Sequence, residues 1–263
     1  MSLFNRNNRA FLLLSVFCFL VAFALPSEAG ERLNRILETK VLRVGTPGDY
    51  RPLAMLENGK YEGFDIDVIG LLAKELGVKV EFVPTTWPKL MEDHFADKFD
   101  ISLGGITRNV ARMVKADFLP PCAPFGKVAL IRVDDKFKFT KPEDLNQPGV
   151  RVIKNPGGTN EKYVDAHLTK AKVTTHENNA EIPGLIAEGK GDVMITDTYE
   201  ALVYSKKDSR LFVAFLNNPL TPVAHKGYML QNDDPDYVRV MKFVWDEIQL
   251  RGELKTAEEK WLK

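Results

Sequence analysis

The sequence has 263 residues, 44% of them hydrophobic, with 36 Lys plus Arg set against 36 Asp plus Glu. That composition excludes a disordered chain, and the balanced charge gives no electrostatic case for nucleic acid or an anionic membrane surface as partner. The length admits one large domain or two small ones.

The N-terminus reads as a secretory signal peptide over residues 1–29. Arg6 and Arg9 precede an apolar run from Ala10 to Leu25, interrupted only by Ser15 and Cys18, and Pro26 to Ala29 fits a small-x-small cleavage site. No charged stop-transfer cluster follows, so a leader is expected rather than a span. Phe17 before Cys18 argues against lipid attachment. Cleavage after Ala29 predicts export to a bacterial periplasm, with no stable membrane insertion afterwards. It also leaves Cys122 without a partner, so no internal disulfide is expected. His94, His167, His176 and His225 show no paired ligand spacing, and no metal site or cofactor is expected.

From Val41 onward, strand and helix patterns alternate. Val41–Gly45 and Val78–Val83 are short apolar strands. Between them the spacing of Val68, Ile69, Leu71, Leu72 and Leu76 predicts a helix over Asp67–Leu76, stopped by Gly77. A third strand falls at Asp100–Leu103. Lys127–Arg132 reads as an extended segment leaving this first unit, and the polar stretch "KFTKPEDLNQPG" follows. A second series then runs through strand Val150–Ile153, helix Thr159–Leu168, a strand near Val173, helix Glu181–Glu188, strand Asp192–Thr196 and helix Asp197–Tyr204. After Leu211–Ala214 the chain is expected to cross back, with strand Gly227–Leu230 and helix Asp236–Leu250 completing the first unit. The expected organisation is therefore α/β in two lobes, residues 30–126 with 215–263 and residues 127–214, around a central ligand cleft. Loops at the carboxyl ends of strands are the candidate walls of that cleft.

Five stretches carry candidate chemistry. In "GDYRP" (48–52) and "TTWP" (85–88), Asp49 could accept a hydrogen bond from an amine or hydroxyl, while Tyr50 and Trp87 could form an apolar wall or simply pack in the core. In "LGGITRNVAR" (103–112), Gly105, Thr107 and Arg112 suit a carboxylate, which arginine can hold in bidentate fashion. Lys127 stands at the lobe crossing and could equally be a surface lysine. In "NPGGTNEKY" (155–163), Asn155 and Gly158 lead into a helix for which Thr159 is the expected N-cap; the free N–H groups and helix dipole favour an anion, though ordinary strand-to-helix turns use glycine too. In "TDTYEA" (196–201), Glu200 lies at capping-box spacing from Asp197. The alternative is a carboxyl group aimed into the cleft, where desolvation would raise its pKa and let it donate a proton near neutral pH.

Residues 30–263 resemble the periplasmic solute-binding proteins of the polar amino-acid type, through "VLRVGTPGDYRP", "YEGFDIDV", "GGIT" with the later Arg112, and "DVMITD". The resemblance implies a hinged type II periplasmic-binding-protein-like fold that closes on a small carboxylate or amino-acid ligand. In it, Thr107 and Arg112 would hold the carboxylate with help from Gly158–Thr159, and Asp197 would meet a ligand amine. "NPGGTNEKY", "TTWP", "FGK" and Glu200 after "TD" are similar to the cyclohexadienyl dehydratases, enzymes on the same fold that remove water and carbon dioxide from prephenate or arogenate without a cofactor. That likeness implies Glu200 as general acid, with Lys127 and Asn155 helping to orient the carboxylates. The dehydratase pattern is broken at Leu53, Ala54, Met55 and Cys122, and in "NPLTPVAHKGY" (218–228). The non-enzymatic alternative is a binding protein serving an ABC permease.

Overall fold

The computed structural model describes residues 30–263; the leader expected over 1–29 lies outside the described residues. Two five-stranded sheets form the framework. The first runs in the order Lys79–Pro84, Val41–Thr46, Ile101–Ser102, Met229–Leu230, Asp117–Phe118. The second runs Lys172–Thr175, Arg151–Lys154, Val193–Asp197, Lys127–Arg132, Leu211–Ala214. The sheets share a plan that no sequence repeat announces. In each, the fourth strand is the one that follows a crossover, and it pairs antiparallel with both neighbours.

Strand Lys127–Arg132 illustrates why the second sheet is buried on both sides. Side chains alternate across a strand. Val128 and Leu130 therefore pack on one face with Ile182, Ile186 and Ala201, while Ala129 and Ile131 pack on the other with Val164 and Leu168. Helices thus cover both faces, and the strand reads as a continuous apolar run. In the first lobe the helix Phe64–Leu76 begins three residues before the predicted Asp67, and buries Phe64, Val68, Ile69, Leu72 and Ala73. Gly77 ends it in the left-handed conformation, its N–H bonding back to Ala73 and Lys74. Trp245 and Tyr237 of helix Pro235–Leu250 join the same core. Each such fully buried large apolar side chain contributes roughly 1.5–3 kcal/mol.

Helices Glu31–Thr39 and Glu253–Trp261 add to the predicted set, and strand Gly227–Leu230 shortens to Met229–Leu230. No helix among the described residues is long and apolar enough to cross a membrane. The two crossovers lie side by side. Cys122–Phe125 pairs antiparallel with Ala224–Lys226, and the register shifts between His225 and Lys226. This ribbon brings Lys226 to the junction of the lobes.

Candidate functional site

The cleft is assembled where strand ends from the two sheets face each other. Asp197 closes strand Val193–Asp197, and Lys127 opens its antiparallel neighbour directly opposite. Tyr50, Trp87, Gly105, Thr107 and Arg112 enter from the first lobe, and Asn155, Gly158, Thr159, Asn160 and Asp197 from the second. With Lys226 they line a narrow void of about 20 Å³ that is partly open to solvent. The lobes touch around it: the Thr107 and Thr159 hydroxyls lie 3.3 Å apart, and a Cβ on Gly157 would sit 2.3 Å from the backbone nitrogen of Pro88.

The glycine loop of the first lobe does not present its amides to the void. The N–H groups of Gly104 and Gly105 donate to buried Asp65 at 2.9 and 2.8 Å, and Asp65 also accepts from Tyr228 at 2.8 Å. Both glycines have positive φ, and a Cβ on Gly105 would strike the Tyr50 ring at 2.7 Å. That turn aims the Gly105 carbonyl at Lys226 Nζ, 2.8 Å away. Anion recognition from this loop therefore rests on Thr107 and Arg112. Arg112 Nη1 donates to the Thr107 carbonyl at 2.7 Å. No carboxylate among the described residues pairs with Arg112, and burial lowers its pKa to about 10. A half-buried guanidinium with most of its donors uncommitted calls for an anion.

In the second lobe Gly158, not Thr159, is the N-cap of helix Thr159–His167, and no side chain caps it. The Thr159 hydroxyl instead accepts from Lys127 Nζ at 3.1 Å. Glu161 takes the Gly157 N–H at 2.7 Å, so part of this helix start is already occupied by an acid. Asn155 is buried on the wall of the void.

Asp197 is where the expected role changes most. Its carboxylate accepts from Lys127 Nζ at 3.0 Å, from Lys226 Nζ, and from the Tyr50 hydroxyl at 2.5 Å. Burial pushes its pKa up, but Lys127 and Lys226 outweigh that and hold it well below the usual carboxylate range. The expected ligand-amine acceptor is thus the internal counter-ion of two lysines. Lys127 is not a surface residue: it is 6% exposed, and its ammonium also donates to Asn160 at 2.5 Å. Lys226, which the sequence did not single out, is 2% exposed and lies 3.9 Å from the Phe125 ring centroid.

Glu200 is fully buried beside this group. It forms no capping box, since no side chain caps the helix at Asp197. Asn179 Nδ2 donates to one carboxyl oxygen at 2.6 Å and the Thr196 hydroxyl donates to the other. Burial, reinforced by Asp197 and opposed by the two hydrogen bonds, raises its pKa to about 8. Glu200 stands behind the wall of the void rather than on it. Asp49 is likewise off the wall, accepting from Trp87 Nε1 at 2.8 Å; Trp87 meets the Tyr50 ring edge-on, 5.9 Å between centroids. Leu53, Ala54, Met55 and Cys122 also fall outside the lining, so the breaks in the dehydratase pattern at these positions lie in the supporting layer.

The model of the bacterial extracellular solute-binding proteins, family 3, matches residues 42–263. The chain belongs to this family. This solute-binding protein is 39% identical over 245 residues to a cyclohexadienyl dehydratase of Pseudomonas aeruginosa, covering 93% of this chain and 91% of that one. Among solved structures, it matches an ancestral amino acid-binding protein described as a precursor of cyclohexadienyl dehydratase with a TM-score of 0.81 and 37% identity, over 88% of this chain and 99% of that one. An ancestral cyclohexadienyl dehydratase is 51% identical over 88% of this chain and 96% of its own, with a TM-score of 0.53. The two-lobed type II architecture is common to this family and to the present chain.

Proposed function

We propose that this solute-binding-family protein is a periplasmic cyclohexadienyl dehydratase, converting prephenate or arogenate to phenylpyruvate or phenylalanine. The observation that carries the reading is Glu200. A carboxyl group sealed at the lobe junction with its pKa raised to about 8 is protonated at neutral pH, as a general acid must be. The 39% identity to the Pseudomonas enzyme over nearly the whole chain supports the same activity.

In this reading Arg112 and Thr107 hold one substrate carboxylate, while Lys127 and Asn155 face the other. Glu200 delivers its proton to the ring hydroxyl as the C–O bond breaks, and water leaves. The bond from the ring to its carboxylate breaks in concert, its electron pair completes the aromatic ring, and carbon dioxide departs. Prephenate dianion plus one proton gives phenylpyruvate anion, carbon dioxide and water, and Glu200 regains its proton from solvent once the lobes part. Aromatisation supplies the driving force. The test is phenylpyruvate formation from prephenate by the purified protein; Glu200→Gln should abolish it while leaving the fold intact.

A second reading is favoured by the position of Glu200 behind the void, with both oxygens engaged. Arg112, Thr107 and Thr159 suffice to hold a carboxylate without chemistry, and the protein would then deliver a small carboxylate or amino acid to an ABC permease. No turnover, together with thermal stabilisation by an amino acid, would decide for it. Ligand at a hundred times its Kd adds about 2.7 kcal/mol.

A further inference from the structure

The walls of the void are unevenly charged. Arg112, Lys127 and Lys226 bring three basic groups, and Asp197 is the single ionised carboxylate among them; burial lowers the pKa of Lys226, and its ion pair with Asp197 opposes that shift and favours the charged form. The nearby acids do not redress the balance: Asp65 is shielded behind the Gly104–Gly105 turn, Asp49 is bonded to Trp87 and lies outside the lining, and Glu200, its pKa raised to about 8 by burial, favours the protonated form at neutral pH. The excess matches two negative charges on a ligand. An ammonium group would enter a positive enclosure, and the one carboxylate that could receive it already accepts from Lys127, Lys226 and Tyr50.

We propose that the pocket selects a doubly charged dicarboxylate without an amine, prephenate over arogenate, and that Lys226 is the residue that sets this selectivity. The names of the two substrates rest on the dehydratase reading; the charge argument does not. Lys226 acts twice. It adds a positive charge to the enclosure, and it shares Asp197 Oδ2 with the Tyr50 hydroxyl, taking an acceptor position that an amine could otherwise use. From the crossover ribbon it meets Asp197 at the end of a second-sheet strand, which fixes this charge pattern at the junction of the two sheets. The same pattern favours product release: loss of carbon dioxide removes one negative charge, and phenylpyruvate is left in a site that matches two.

The test is calorimetric binding to the Glu200→Gln protein, which holds substrate without turning it over. Prephenate should bind at least about tenfold more tightly than arogenate and more tightly than phenylpyruvate, since like charges in a poorly solvated site interact strongly. Lys226→Met, with Lys226→Gln as a second variant in case the first unfolds, should bring the two substrates to within about threefold by weakening prephenate and strengthening arogenate. Equal binding of the pair, tighter binding of arogenate, or a ratio unmoved in both variants overturns the proposal. Absence of turnover by the wild-type protein would sink the dehydratase reading alone, because the binding comparison stands without it.

Discussion

Lys226 on the crossover ribbon and Asp197 at the end of a second-sheet strand meet as an ion pair in which each side chain is only 2% exposed. Lys127 reaches the same carboxylate from the neighbouring strand. Two buried ammonium groups therefore depend on one aspartate. Asp197→Ala should destabilise the protein by about 3–5 kcal/mol, the usual consequence of leaving a buried charge without its partner. Lys226→Met should cost less, because Asp197 keeps Lys127. Urea unfolding of the two variants gives the order; a larger loss in Lys226→Met would contradict this account of the pairing.

Glu200 makes stability depend on pH in a defined direction. Its pKa in the folded protein, about 8, lies above its ordinary value of 4.5. Folding therefore favours the protonated form. The resulting stabilisation is complete below about pH 4.5, falls by about 1.4 kcal/mol per pH unit through the interval, and is gone above about pH 8. Glu200→Gln, which cannot ionise, should gain on the wild type across that interval and keep a constant advantage above it. Denaturation curves at several pH values check the sign. Turnover should show the matching alkaline limb, with kcat/KM falling above about pH 8.

Asn179 offers a finer test of the same group. Its Nδ2 donates to Glu200 at 2.6 Å and to the main-chain oxygen of Asp49, in the other lobe, at 3.3 Å. The bond to Glu200 stabilises the ionised form and so lowers the pKa that burial raises. Asn179→Ala should move the alkaline limb of the rate profile to higher pH and cost about 1–3 kcal/mol of stability. A merely structural role would lower activity equally at every pH.

Arg112 should separate binding from folding. Its guanidinium is largely desolvated and lacks an acidic partner among the described residues, so Arg112→Leu should leave the ligand-free protein as stable or slightly more so. Ligand affinity should drop by several kcal/mol, the loss expected when a charge-assisted hydrogen-bonding partner is removed from a buried carboxylate. Melting with and without ligand measures both. An affinity that survives the substitution would place the carboxylate elsewhere.

Local patterns carried much of the architecture into view. Segment Lys127–Arg132, expected to be extended, is a strand over its whole length, because it lies inside a sheet and reads as an apolar run. The loops flanking the cleft were legible because glycine and hydroxyl residues follow strand ends. The wiring of the site was less visible. Lys226 sits in a polar stretch without periodicity and reaches the cleft only through the ribbon register that pairs it with Cys122. Asp197 looked free because its partners Tyr50, Lys127 and Lys226 come from three distant segments. The amides of Gly104 and Gly105 looked available because Asp65, which takes them, lies in a helix on the far side of the loop. Helix Glu253–Trp261 was hidden by its composition: it buries only Leu254 and Ala257, and its charged residues mask the stripe.

Gly157 has a left-handed backbone and faces Trp87 and Pro88 across the cleft, with no room for a methyl group. It therefore works as the mouth's bite height. An alanine here would push Trp87 and Pro88 away by its own thickness and prop the jaws apart, while leaving the charged groups of the cleft in place.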